Sequence, residues 1–127
     1  MSRLLAIATV LAAACTSGDN QLACEDLGST RMEDPAQYYA GLDYYMRTHV
    51  TGARGAAHAF DDSLDPAVHH AEGGTNIAAD LRAVRSALAA LIAELDKDPI
   101  DFAAADPRMA ELRDAWTTLD AHCDALQ

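Results

Sequence analysis

The stretch Asp106–Leu126, DPRMAELRDAWTTLDAHCDAL, decides the fold. Its apolar residues Met109, Leu112, Trp116, Leu119, Cys123 and Leu126 are spaced alternately three and four positions apart. An α-helix turns once every 3.6 residues, so this spacing places all six on one face. A helix with one apolar stripe must bury it against another element. The chain therefore has to supply helices or sheets of matching pattern.

It supplies helices. Between Gly74 and Asp98 a second seam runs through Ile77, Leu81, Val84, Leu88, Leu91 and Leu95. Thr75 or Asn76 is its expected cap, and Gly73-Gly74 ends whatever precedes it. A third seam follows Asp34: Tyr39, Leu42, Met46, His49, Ala53, Ala56 and Phe60. Gly52 and Gly55 weaken that segment by about 1 kcal/mol each. The register nevertheless runs through them, which predicts one long helix.

All four prolines follow an aspartate, in Asp34-Pro35, Asp65-Pro66, Asp98-Pro99 and Asp106-Pro107. Aspartate is a good N-cap and proline suits the first helical position, so each pair reads as a helix start. Gln37, three residues after Asp34, completes a capping box. Short helices are expected from Pro66 to Glu72 and within residues 19–28, ending at Gly28. No segment alternates with period two. The predicted fold class is all-α, an antiparallel helical bundle of three long helices plus one or two short helices.

Nine basic residues stand against 20 acidic ones, a formal net charge of −11. That balance argues against nucleic acid and anionic lipid headgroups as partners, because both require Lys/Arg patches. The first fifteen residues, MSRLLAIATVLAAAC, combine Arg3, an uncharged apolar run from Leu4, small residues Ala12, Ala13 and Ala14, and then Cys15. The run is too short for a spanning helix, which needs about 20 apolar residues. Its length is that of a signal-peptide core.

This segment resembles the bacterial lipoprotein signal, in which small residues precede a cysteine that is acylated and becomes the new N-terminus. The resemblance covers residues 1–15. It departs from the usual pattern at Ala12, where leucine is preferred; Leu11 lies one position further back. Ala12-Ala13-Ala14 also suits ordinary signal peptidase, which would release a soluble secreted protein. The resemblance implies a signal peptide over residues 1–14 and a lipidated Cys15. It further implies export to the cell envelope and membrane attachment through lipid. Thr16 to Asn20 have little hydrophobicity and no periodicity and read as a flexible tether, and the length of residues 21–127 suits a single domain. In a cell with two membranes the outer one is implied, since no aspartate follows Cys15.

Assigning Cys15 to lipid leaves Cys24 and Cys123 as a pair in an oxidising compartment. Closing that loop is worth about 4–5 kcal/mol in a chain-entropy treatment. In a three-helix up-down-up bundle the two cysteines would sit at opposite ends, roughly 30 Å apart at 1.5 Å per residue. The bond therefore needs an even number of passes. Either residues 19–28 run back along the bundle, or the long helix breaks near Gly52–Gly55.

Candidate ligands for a metal are few. His49 shares the third seam with Met46, and a buried His/Met pair suits copper or haem iron. A core histidine bonded to a tyrosine or a carbonyl is the commoner arrangement. His58, nine residues on, lies half a turn away from His49. In His69-His70-Ala71-Glu72, a helix would bring His69 and Glu72 to one face. Two adjacent histidines cannot share one face, and a solvated connector is the simpler reading. His122 adjoins Cys123; with no C-x-x-C-H, covalent c-type haem is excluded. Tyr38, Tyr39, Tyr44 and Tyr45 are read as core packing, with an aromatic partner surface as the functional alternative.

No hydrolase, zinc-protease, redox or phosphate-loop motif occurs. The expected function is therefore a non-catalytic, lipid-anchored binding or scaffold module with a protein or small-ligand partner and no cofactor. The alternative is a metal- or haem-binding extracytoplasmic bundle drawing on some of His49, Met46, His69, His70, Glu72 and His122.

Overall fold

In the computed structural model, residues 20–28, 47–72, 74 and 76–126 are described. The signal segment, Cys15, the Asp34–Gln37 capping box, Met46 and the four tyrosines lie outside them. The described residues are all-α and contain no strand. In chain order, a helical segment over residues 20–26 precedes α1 (Val50–Ser63), α2 (Asp65–Ala71), α3 (Asn76–Leu95) and α4 (Phe102–Ala125).

The two long helices carry the core. The entire second seam, from Ile77 to Leu95, is buried on α3. Met109, Leu112, Trp116, Leu119 and Cys123 are buried on α4, joined by Ala105 at the start. Leu126 does not join them: it caps α4 and is exposed. A short connection makes α3 and α4 antiparallel neighbours, so Asp80 near the start of α3 meets His122 near the end of α4.

α1 runs alongside in the same direction as α4. Arg47 pairs with Asp106 at 2.7 Å and lies 5.0 Å over the Phe102 ring. Further along, Phe60 packs on Trp116 with ring centroids 5.4 Å apart. Arg54 donates from Nε to the Leu95 carbonyl and from Nη2 to that of Lys97 at 2.8 Å. These carbonyls belong to the end of α3, where no further turn supplies an N–H, so the guanidinium caps the helix.

Four expectations are corrected. The third seam is not one helix, because it is interrupted at His49, whose φ of −138° and ψ of 69° are not helical. The reason is local. Thr48, His49, Val50, Thr51 and Gly52 are consecutive poor helix formers, and β-branched side chains lose χ1 freedom in a helix. Within α1 the seam residues Ala53 and Phe60 are buried as expected, and Ala57 rather than Ala56 completes the buried face. His49 is exposed and not on an apolar seam.

Asp106-Pro107 is not a helix start either. α4 begins earlier, with Asp101 as N-cap accepting from the Ala103 amide at 3.1 Å, and Pro107 lies inside the helix. Proline there removes the bond to the Ala103 carbonyl. Ala103 is exposed, so water can satisfy that oxygen. Asp98-Pro99 lies in the turn before α4 and is a cis peptide. Asp65-Pro66 does open a helix, α2. Finally, Asn20 is not tether: it is helical and buried.

Candidate functional site

Two regions concentrate polar chemistry. The first is the end of the bundle where α4 finishes. Cys24 and Cys123 are joined by a disulfide with Cα atoms 5.6 Å apart. Two histidine–aspartate contacts flank it. His70 Nδ1 donates to Asp26, tying α2 to the segment over residues 20–26, and His122 Nδ1 donates to Asp80, tying α4 to α3. A carboxylate only accepts, so Nδ1 carries the proton in both contacts. Gly74 closes this end. A Cβ there would clash with Asn20 Oδ1 and stand 3.0 Å from the Ala71 carbonyl, so a larger residue requires Asn20 to shift.

The pairing places Cys24 at the end of the bundle where α4 finishes. The chain leaves Gly28 at the disulfide end and re-enters the described residues at Arg47, at the opposite end. The interruption lies at His49, ahead of Gly52 and Gly55.

The second region is a groove of about 420 Å³ between α2 and α3. It is lined by Val68 and Ala71 of α2, by Glu72 and Gly74, and by Ala78, Leu81, Arg82 and Arg85 of α3. Ala71, Ala78 and Leu81 belong to the buried core, and Val68 packs against it.

The two arginines differ. Arg85 Nε is 3.3 Å from Asp61, and its Nη2 reaches the Asp61 carbonyl at 3.2 Å and the Asp65 carboxylate. Burial works against its charge, but the contacts to Asp65 and Asp61 prevail and raise its pKa above the usual arginine value. Arg85 thereby fastens α3 to the α1–α2 corner. Arg82 has no ion pair or hydrogen bond among the described residues, and it is exposed at the groove. Every other described Lys or Arg side chain has a carboxylate or carbonyl partner.

The candidate metal ligands are not brought together. His70 is held by Asp26, and His69 is exposed with its ring 5.7 Å from that of His70. Glu72 belongs to the groove. His49 sits beside Thr48 at the far end of the bundle, with Nδ1 2.9 Å from the hydroxyl oxygen. His58 lies 3.6 Å from Asp96 on the surface. Among the described residues no three His, Cys, Asp or Glu side chains converge on one point.

Sequence reasoning missed Arg82 and the groove. Arg82 reads as one more charge on the outer face of α3. Only the docking of α2 turns that face into a wall.

The chain matches no family model, and comparison with curated proteins and solved structures finds no match to either.

Proposed function

We propose that this protein is an exported, lipid-anchored and non-catalytic binding module, held to a membrane through Cys15 and presenting a compact helical domain. The observation that carries this reading is the Cys24–Cys123 bond. Stable disulfides belong to oxidising compartments. The bond also uses two of the three cysteines and leaves Cys15 for acylation. The module sits in the cell envelope, on the outer membrane where there are two membranes. With a net charge of −11 it does not engage nucleic acid. The groove between α2 and α3 favours binding over a purely structural role, because its volume falls in the range of small-molecule sites, about 300–1,000 Å³.

Expression of the full chain in a bacterium, followed by mass spectrometry of the mature N-terminus, tests this proposal. The expected result is cleavage before Cys15, an acyl mass on that residue, and membrane fractionation that Cys15→Ser abolishes. A chain that keeps Met1 and stays in the cytosol overturns export. Cleavage without acyl mass overturns the anchor.

A further inference from the structure

We infer that the end of the bundle closed by the Cys24–Cys123 bond rests against the bilayer that holds Cys15, with Leu22 and Leu126 entering a zwitterionic lipid surface. This rests on the reading of Cys15 as lipidated and goes beyond it, because an anchor alone leaves the domain free to turn.

Exposure marks the contact. Among the described residues, the large apolar side chains left exposed are Leu22 at 46% and Leu126 at 38%. They flank the disulfide, two residues before Cys24 and three after Cys123. The Cα atoms of the two cysteines are 5.6 Å apart, so both leucines belong to one end of the domain. Neither fills the core, which Ala23, Cys24, Leu27 and Cys123 complete at this end. Scattered exposed apolar residues are ordinary. These two are not scattered: both lie at the end where the tether enters.

The length of chain between the anchor and the domain selects the occupant. Asn20, five residues after Cys15, is already helical and buried. Five extended residues span at most about 18 Å. By contrast α4, with 24 residues, is about 36 Å long at 1.5 Å per residue. The tether is too short to let the domain invert, and it holds the disulfide end at the headgroups. So short a tether makes the contact intramolecular, at high effective concentration, and a weak apolar contact is then enough. Charge selects the lipid. Residues 20–28 and 119–126 carry Glu25, Asp26, Asp120 and Asp124 and no Lys or Arg. An anionic leaflet repels such an end, which leaves a zwitterionic surface as its partner.

The test places the isotope-labelled protein, expressed from the full chain, in phosphatidylcholine nanodiscs. Mass spectrometry reads the anchor first: absence of acyl mass on Cys15 overturns the lipid reading and this inference with it. For the acylated protein, amide relaxation reports whether the domain tumbles with the disc or independently of it. A lipid carrying a gadolinium chelate broadens the amides nearest the surface. The domain is expected to tumble with the disc, with broadening strongest over residues 21–26 and 121–126 and weakest over residues 96–101. Leu22→Gln and Leu126→Gln together should keep the acyl mass and lower the ratio of docked to free domain by about tenfold. Each single variant should lower it by about threefold, which preserves the test if the double variant is unstable. Phosphatidylglycerol in the disc should weaken docking, and added salt should restore it. An acylated domain that tumbles freely, one that docks through another face, or leucine variants that dock as the parent does would overturn the inference and leave the anchor intact. Docking strengthened by phosphatidylglycerol would overturn the zwitterionic surface.

Discussion

Cys24 and Cys123 hold their Cα atoms 5.6 Å apart across a sequence separation of 99 residues. That bond joins the start of the described domain to the end of its last helix. Its effect on the unfolded chain is correspondingly large, because the loop it closes includes almost every described residue. Removing it with Cys24→Ala and Cys123→Ala together should lower stability by about 4–5 kcal/mol. Small domains have only about 5–15 kcal/mol in total. Urea unfolding followed by circular dichroism, with and without reductant, checks this. An unchanged midpoint in the double variant would show that the bond does not constrain the chain.

The buried face of α1 is sharply defined. Ala57 is buried and Ala56 is exposed. Ala57→Leu should overpack the contact with α3 and cost about 1–3 kcal/mol. Ala56→Leu should stay within about 0.5 kcal/mol of the parent. The reverse order, measured by thermal or urea unfolding, would show that Ala56 rather than Ala57 faces the core.

Asp101 takes the capping role that the sequence suggests for Asp106. Asp101 caps α4 through the Ala103 amide. Asp101→Ala should cost about 1 kcal/mol. Asp106 instead pairs with Arg47, with both side chains nearly half exposed. Such pairs contribute about 0–1 kcal/mol and weaken with salt. Asp106→Ala should therefore cost less, and raising the salt concentration should shrink its effect but not that of Asp101→Ala. Unfolding curves at low and high salt distinguish them.

Gly74 and Asn20 form a third testable couple. Asn20 Oδ1 is buried with no hydrogen-bond partner and lies where a Cβ on residue 74 would go. Gly74→Ala should destabilise the protein by about 1–3 kcal/mol. In Asn20→Ala the side-chain obstacle is gone, and the same glycine substitution should cost less, since only the Ala71 carbonyl remains close. A double-mutant cycle measures that coupling. A coupling of zero would separate the two residues.

The seams on α3 and α4 are readable because each keeps one apolar stripe at helical spacing over five or more turns, and no glycine falls within either. Period alone is then sufficient. The third seam was misread where period and propensity conflict. From Thr48 to Gly52 the stripe continues but the backbone preference does not, and the backbone prevailed at His49. The Asp-Pro pairs misled for another reason. Aspartate followed by proline is favourable at a helix start, yet it does not choose between competing starts. The Asp101 cap made α4 begin a full turn before Pro107.

The groove was not readable at all. Its lining comes from two helices, and Arg82 stands out as unpaired only when the partners of the other described cations are known. The histidines show the same limit. His69, His70 and Glu72 are dense in sequence, but α2 points His70 at Asp26 and leaves Glu72 to the groove.

The sequence by itself determined the all-α class, the core faces of α3 and α4, and the availability of Cys24 and Cys123 as a pair. These depend on helical period and residue chemistry, which are local or compositional. Tertiary structure alone decided which end of the bundle the disulfide joins and which arginine of the α2–α3 groove is left unpaired. Those outcomes depend on contacts between residues far apart in the chain. Their energies are set by packing and by competition among many carboxylates for few cations, and no single segment contains that competition.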